Sequence, residues 1–218
     1  SINDTVYYLK STTCLFFNIQ ILYLEETKTY AMIKSLLLCF ALGLVNLVFS
    51  QSNWLKSFGG LTNEEVLASE LNSNGEIMMA GYFSGAMDPG TGAIQTEGYS
   101  DILVMKADDL GNIIWSTTAG GFGPDRAEDI TTDNSGNTYI TGYFTNEATF
   151  GNITVTGQDR EGYVAKLDAA GNFLWVSTFG GEFGDSGYGV AVDPVGNVFI
   201  TGQYKGTGVF GPDTYISM

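Results

Sequence analysis

The chain has 218 residues, of which 24 are acidic and nine are basic, and its formal net charge is −15. Of these, 21 acidic and six basic residues follow residue 50, so this part of the chain is strongly negative. A negative surface repels the phosphate backbone of nucleic acids, and we therefore expect no nucleic-acid partner. The chain contains no histidine, which excludes a Ser-His-Asp triad or a histidine-bearing zinc site built from these residues. Both cysteines precede residue 51, so no disulfide is expected after it.

Residues 32–50 have the pattern of a secretory signal peptide. Lys34 precedes the apolar run 35–45, and Val48 and Ser50 are modest side chains at the third and first positions before the predicted cleavage after Ser50. The apolar stretch is short for a membrane span. We therefore expect a secreted or cell-surface protein with no stable membrane insertion after cleavage. An anchored helix that stays in the membrane is the alternative.

Residues 1–31 lie upstream of this signal and do not begin with Met. We interpret them as a non-native upstream extension or a disordered segment. The apolar piece 14–17 leaves open a genuine hydrophobic segment instead.

A unit of about sixty residues then recurs, with units near 53–113, 114–173 and 174–218. Each copy has a tryptophan at the start of a segment that ends in Gly-Gly, and two further glycines recur with the same spacing. The recurring residues are Trp54, Trp115 and Trp175; Gly81, Gly142 and Gly202; and Gly75, Gly136 and Gly196. Such a fixed period predicts a repeat architecture, in which these residues have structural roles.

Short runs of β-branched and aromatic residues within each unit predict strands. In the middle unit they are expected at 126–132, 138–144, 163–167 and 173–177. Asp-x-x-Gly-Asn segments predict the hairpin turns, because Asp bonds nearby N–H groups and Gly adopts a positive φ. The clearest turns are 133–137 with Gly136, 168–172 with Gly171, and 193–197 with Gly196.

The second strand of each unit carries bulky side chains on both faces, at 77–83, 139–144 and 199–204. Both faces should therefore be covered, as in sheets that pack face to face. The central glycine suits a close approach of neighbouring backbones. We predict an all-β fold, a β-propeller of four-stranded antiparallel blades of about 60 residues. Propellers close with about four to eight blades, so two full blades and part of a third predict an incomplete ring and a fragment.

Paired glycines, an Asp, a Gly-Asn turn and a strand ending in Thr-Gly resemble the bacterial β-propeller repeat called SBBP, over about residues 53–218. The middle copy carries the resemblance in Gly120-Gly121, Asp125, Gly136-Asn137, Thr141-Gly142 and the segment 163–168. The first copy departs from it with Glu64, Asn72 and Ala80 at the positions of Asp125, Asp133 and Thr141. The resemblance implies a secreted or surface-displayed propeller, often one module of a larger protein, and no reaction. The leader's end, 49–51, also resembles leaders common in Bacteroidetes.

Two groups of repeated residues are candidates for ligand binding. Asp133, Asp168 and Asp193 are calcium candidates, since hard cations favour clustered oxygens, but their spacing departs from that of an EF-hand and a turn role explains them equally. The tryptophans could stack on a sugar, or pack within blades.

We predict a binding or structural scaffold module for an unknown protein or glycan ligand. Its ligand contacts should lie in the variable segments Gly85 to Gly98 and Asn146 to Arg160. No catalytic residue is identified, and no cofactor apart from calcium is expected. The alternative is a propeller enzyme, such as a quinoprotein dehydrogenase or a carbohydrate-active enzyme, with its active site in blades beyond this chain.

Overall fold

The computed structural model describes residues 57, 59–60, 62–181, 183–210 and the strand at 213–216. The predicted extension at 1–31, the signal peptide at 32–50 and Trp54 lie outside the described residues. Every regular element in the described part is a β-strand, which confirms the all-β prediction. None of the described residues forms a helix of the length and hydropathy that a membrane crossing requires.

The strands are short to medium in length and are numbered in chain order. They are β1 Gly59–Gly60, β2 Glu64–Leu71, β3 Ile77–Phe83, β4 Ala86–Asp88, β5 Ile94–Gln95, β6 Asp101–Ala107, β7 Ile113–Gly120, β8 Arg126–Thr132, β9 Thr138–Phe150, β10 Ile153–Leu167, β11 Phe173–Gly181, β12 Ser186–Val192, β13 Val198–Gln203, β14 Thr207–Phe210 and β15 Asp213–Ile216.

Antiparallel pairing links consecutive long strands in the same way in successive units. In the first structural unit, which runs from β2 to β7 and so extends past the sequence boundary near residue 113 to Gly120, β2 pairs with β3, β3 with β6, and β6 with β7. In the second, β8 pairs with β9, β9 with β10, and β10 with β11. The pair β12–β13 opens the third. This repeated pairing is consistent with a propeller.

Three of the four strands expected in the middle unit are longer than predicted. β8 has the expected bounds, but β9 continues to Phe150, β10 begins at Ile153 and β11 continues to Gly181. The residues added to β9 and β10 form a hairpin that pairs with β7, and a register shift between Thr156 and Arg160 separates this hairpin from the rest of the β9–β10 ladder. Asn146, with φ 65°, lies opposite this shift. Such a positive φ is uncommon for residues other than glycine, although Asn tolerates it best.

The turns between strands share one hydrogen-bond pattern. Asp133 Oδ1 accepts hydrogen bonds from the N–H groups of Ser135 and Asn137, both at 2.9 Å, and Gly136 has φ 80°. Asp168 and Asp193 bond the N–H groups two and four residues later in the same way. The Asp side chain therefore closes the turn, and the glycine supplies the positive φ that a Cβ would hinder.

The central glycine of each second strand lies against the carbonyl oxygen of the neighbouring first strand. A Cβ on Gly81, Gly142 or Gly202 would lie 1.9 to 2.2 Å from the carbonyl oxygen of Glu65, Arg126 or Ser186, respectively. Each contact occurs at a register shift of the first strand, between Val66 and Ala68, Ala127 and Asp129, or Gly187 and Gly189. Glycine is thus needed because the β-bulge brings the two backbones together.

The second strands differ in how well their two faces are covered. β3 and residues 138–144 of β9 are buried on both faces apart from one intermediate position each, and β8 contacts β3 while β12 contacts β9. β13 does not follow this pattern, since Phe199 is 58% exposed, whereas its counterpart Tyr139 is 2% exposed. Among the described elements, β13 pairs only with β12. The prediction of coverage on both faces is therefore wrong for 199–204, because no described unit packs there.

Candidate functional site

Hairpins join successive units at their edges. The hairpin that follows a second strand reaches back to the Gly-Gly segment of the preceding unit and pairs with it. Gly120 pairs with Thr149, and Gly181 pairs with Gly208. β4 pairs in the same way with β1. We call residues 97–101, 119–125 and 145–150 the first junction, and 157–161, 179–181, 183–185 and 205–210 the second junction.

A buried aspartate bonds both sides of each junction. Asp125 is fully buried; its Oδ2 accepts a hydrogen bond from the Gly121 N–H (2.8 Å), and its Oδ1 accepts one from the Thr145 N–H (2.7 Å). Asp185 is also fully buried, and its oxygens accept from the N–H groups of Gly181 (2.7 Å) and Lys205 (2.8 Å). Each carboxylate therefore accepts hydrogen bonds from two backbone N–H groups that the pairing between strands does not satisfy.

A second buried acid accompanies each aspartate. A Cβ on Gly120 would lie 2.9 Å from both Asp101 Oδ1 and Asp125 Oδ2, so the two carboxyl groups flank this glycine. Glu161 and Asp185 flank Gly180 in the same way. Asp101 Oδ2 accepts a hydrogen bond from the Glu97 N–H (3.0 Å), whereas Asp101 Oδ1 is buried and has no hydrogen-bond partner among the described residues.

Burial makes these carboxyl groups weaker acids. Desolvation raises the pKa of Asp125 to about 7, against the opposing effect of its two backbone hydrogen bonds. Desolvation also raises the pKa of Asp101 to about 6, with a smaller contribution from the charge of Glu97. Desolvation and the neighbouring Asp185 raise the pKa of Glu161 to about 7. Each junction therefore holds a carboxyl group that exchanges a proton near neutral pH.

A cleft of about 420 Å³ opens at the first junction, and we call it the junction cleft. It is lined by Glu97, Tyr99 and residues 120–124 and 145–149. A second cleft of about 210 Å³ adjoins it, shares Glu97, Gly120 and Thr149 with it, and includes Asp101 in its lining. Residues of both variable segments, 85–98 and 146–160, therefore line the same space.

Two aromatic side chains at the rim of this cleft are exposed to solvent. Tyr99 is 74% exposed and Phe122 is 79% exposed. Their rings contact each other edge to face, with centroids 6.3 Å apart and an interplanar angle of 82°. Adjacent exposed aromatic rings are a common feature of binding surfaces, because they offer a large contact area with little conformational freedom to lose.

Similarity to known proteins agrees with this repeated architecture. The family model described as "SBBP: Beta-propeller repeat" matches residues 174–203, which contain β12 and β13. The "Uncharacterized WD repeat-containing protein L264" of Acanthamoeba polyphaga mimivirus is 23% identical over 224 residues, which cover 83% of this chain and 16% of that protein. The two matches support a β-propeller repeat protein. The chain spans only 16% of the length of this relative.

In the propeller repeats the calcium candidates Asp133, Asp168 and Asp193 lie in separate hairpin turns. Each has its carboxylate engaged by an Asn side chain and by backbone N–H groups of its own turn. Burial opposes ionisation of Asp133, but its hydrogen bonds from Asn137, Tyr139 and Ser135 bring its pKa below the usual value. No group of three or more acidic or cysteine side chains in the described part of the chain is arranged to hold a metal ion. The structure does not bring these three aspartates together.

The tryptophans of the second and third propeller repeats lie in packing positions. The Trp115 Nε1–H donates to the carbonyl oxygen of Ala169 (3.2 Å), and a Cβ on Gly171 would lie 2.9 Å from the Trp115 ring. Trp175 packs edge to face on Tyr139, with centroids 6.2 Å apart. Both rings therefore contact neighbouring parts of the repeats.

The two junctions include residues that the repeat pattern did not single out. Tyr99, Phe122 and the second acid of each pair, Asp101 or Glu161, had no assigned role in the sequence. The acids recur sixty residues apart, so their spacing was a usable signal. Position 159, sixty residues after Tyr99, is an aspartate. The absence of an aromatic residue there was the signal that Tyr99 departs from the repeat.

Proposed function

We propose that this chain is a binding or scaffold module, without catalytic activity of its own, whose ligand contacts the junction cleft. The supporting observation is that the variable segments meet there. Glu97 comes from one segment and residues 146–149 from the other, and the exposed Tyr99 and Phe122 lie beside them. Loops that vary on a constant framework are the usual place for a binding site.

The acids with raised pKa values favour a structural role over a catalytic one. An active site would place an acid or base at a position whose counterparts in other units are neutral. Asp125 and Asp185 instead make the same two backbone hydrogen bonds, and Asp101 and Glu161 accompany them at the same distance along the chain. The raised pKa values of Asp101, Asp125 and Glu161 follow from burial at a repeated structural joint.

We propose further that the two four-strand sets are complete propeller blades. In this proposal β2, β3, β6 and β7 form one blade, β8 to β11 the next, and β12 and β13 the first half of a third. The consecutive antiparallel pairings support this division. A ring of about four to eight such blades would need further units, which could pack on the exposed face of β13.

The proposed location is the cell surface or the extracellular medium. It rests on the sequence pattern of residues 32–50. Expression of the full reading frame in a bacterial host, followed by N-terminal sequencing of the exported product, is expected to give a chain that begins at Gln51. A product retained in the cytoplasm with residues 32–50 intact would contradict the proposal.

A ligand screen with matched variants tests the binding function. The full chain would be applied to arrays of oligosaccharides and of peptides, in parallel with Phe122→Ala and Val195→Ala. Both residues are exposed and apolar, at 79% and 83%, but Val195 lies in a turn away from the cleft lining. We expect ligands that bind the wild type and Val195→Ala but not Phe122→Ala. Identical binding by all three proteins, or no binding by the wild type, would contradict the assignment.

A further inference from the structure

The first and second junctions share their backbone hydrogen bonds, but they differ in whether a cationic side chain lies over an exposed aromatic ring. At the second junction Lys205 Nζ lies 5.3 Å from the centroid of the Phe183 ring. At the first junction Tyr99 and Phe122 are more exposed than Phe183, and no lysine or arginine of the described residues lies over either ring. The first junction therefore has the aromatic half of a cation–π pair, and no cation of the described residues covers either ring.

The hydrogen bonds show which residue corresponds to Lys205. The Lys205 N–H donates to Asp185 Oδ1 at 2.8 Å, and the Thr145 N–H donates to Asp125 Oδ1 at 2.7 Å. Thr145 thus occupies the backbone position of Lys205. Its hydroxyl donates to the Pro124 carbonyl oxygen (2.7 Å), and its short side chain has no cation to place over the rings.

The charges around the first junction favour a cation from elsewhere. Glu97 and Glu147 line the junction cleft, and none of its lining residues is basic. The counterpart of Glu147 at the second junction is Thr207, since Gly121 lies against the Glu147 carbonyl as Gly181 lies against that of Thr207. Two carboxylates beside exposed aromatic faces, in a chain of net charge −15, make a region of negative potential.

We propose that the junction cleft binds a lysine or arginine side chain of a basic peptide segment, with its cation over Tyr99 or Phe122 and paired with Glu97 or Glu147. This inference rests on the proposed binding function and specifies its ligand. The ligand's cation would lie over a ring of the first junction, as Lys205 lies over Phe183 at the second, although Phe122 follows Gly121 by one residue and Phe183 follows Gly181 by two. A cation over an aromatic face within about 6 Å is attracted by the ring quadrupole, and a nearby carboxylate adds to that attraction.

An NMR titration of the full chain tests the proposal. The probe is an acetylated, amidated Gly-Ser peptide that carries a single lysine or a single arginine, and the control probe carries glutamine instead. A single charge limits the non-specific attraction that an acidic protein exerts on any polycation. We expect shift changes at the cleft residues with the lysine and arginine peptides but not with the glutamine peptide.

Matched variants separate the aromatic contribution from general attraction. Phe122→Leu keeps the apolar contact but removes the ring, and Phe183→Leu makes the same change at the second junction. Glu97→Gln and Asp159→Asn each remove one negative charge, and only the first does so within the cleft lining. We expect Phe122→Leu and Glu97→Gln to weaken peptide binding at least threefold or so, with Phe183→Leu and Asp159→Asn close to wild type.

The outcomes distinguish this inference from the broader function. Equal weakening by Glu97→Gln and Asp159→Asn, with no effect of Phe122→Leu, would mean general attraction and would overturn the inference. If an oligosaccharide bound the wild type but not Phe122→Ala, while basic peptides did not bind, the inference would be wrong and the proposed function would stand. Absence of any ligand that depends on Phe122 would overturn both.

Discussion

The two junctions have the same internal framework and different surfaces. Inside, each has an aspartate that bonds two backbone N–H groups, a second acid beside it and a glycine between them. Outside, the first junction has Ser100 and Thr145 where the second has Arg160 and Lys205. The correspondence is fixed by backbone bonds, since the Asp125 N–H donates to the Ser100 carbonyl and the Asp185 N–H to the Arg160 carbonyl, both at 2.8 Å.

This difference separates what the fold requires from what a surface can vary. Arg160 lies over the Tyr143 ring and Lys205 over the Phe183 ring, so the cations of the second junction are used within the chain. At the first junction the same backbone carries neutral side chains, and acids and aromatic rings face the cleft. The comparison indicates that the same hairpin joint can carry either cations that contact rings of its own chain or acids and exposed rings beside a cleft.

The largest expected effect comes from removing the shared framework. Asp125→Ala leaves the N–H groups of Gly121 and Thr145 without their acceptor in a buried place, and each unsatisfied group costs about 1–3 kcal/mol. Loss of a buried charge offsets part of this. We expect the free energy of unfolding to fall by about 3 kcal/mol, measured by urea denaturation.

Asp185→Ala should destabilise the protein by a similar amount, because its two hydrogen bonds are equivalent. Asp193→Ala is the control, since this aspartate bonds only groups within its own exposed turn. We expect it to lower the free energy of unfolding by about 1 kcal/mol or less. A smaller effect for Asp125→Ala than for Asp193→Ala would refute the common framework.

The next effect is a loss of stability as pH rises. The pKa values of Asp101, Asp125 and Glu161 lie at about 6, about 7 and about 7 in the folded protein, all above their usual values. The folded state therefore binds more protons than the unfolded state between about pH 4 and 7. Their stabilising contribution is complete below about pH 4 and is lost as pH rises through 6 and 7. We expect a Tm several degrees lower at pH 8 than at pH 5.

Substitutions at the second acid of each pair test the origin of this pH dependence. Asp101→Asn keeps an acceptor for the Glu97 N–H and removes one of the two neighbouring charges. Glu161→Gln does the same at the second junction. Each variant should reduce the Tm difference between pH 5 and pH 8, and the double variant should reduce it most. Glu65→Gln, at an exposed position, is the control. An undiminished difference in the double variant would assign the pH dependence to other groups.

The repeating strands and turns were predicted from the sequence, whereas the contacts that join successive units at the junctions were not. The Asp-x-x-Gly-Asn pattern predicted local turns because the Asp133 side chain accepts hydrogen bonds from Ser135 and Asn137, which lie within the same five residues. The hairpin from β9 to β10 escaped prediction because it pairs with β7, and nothing within residues 145–156 identifies that distant partner. The pairing of Asp101 with Asp125 likewise depends on β6 and the connection from β7 to β8 meeting around Gly120. The aromatic rim departs from the repeat, so a reading based on recurring residues passed over it.

The smallest expected effect on stability comes from transferring the cation of the second junction to the first. In Thr145→Lys the new side chain starts from the backbone position that Lys205 has at the second junction, and Phe122 and Tyr99 offer the ring faces. A cation–π contact at an exposed site contributes about 0.5–1 kcal/mol, and loss of the hydroxyl bond to Pro124 removes part of this gain. We expect a Tm within about 2 °C of wild type.

The same variant should nevertheless have a large effect on binding, because its own lysine would occupy the place proposed for the ligand's cation. Thr145→Lys is therefore expected to abolish the shift changes caused by the single-lysine peptide. Thr145→Val is the control, since it also removes the hydroxyl but adds no charge.

The reverse change, Lys205→Thr, uncovers Phe183 at the second junction. It provides neither a glutamate nor a tyrosine there, because Thr207 and Asp159 stand at the positions that correspond to Glu147 and Tyr99. If Thr145→Lys still bound the peptide like wild type, the ligand's cation would not lie at the place that a lysine at position 145 reaches. The proposed reason for the difference between the two junctions would then be wrong.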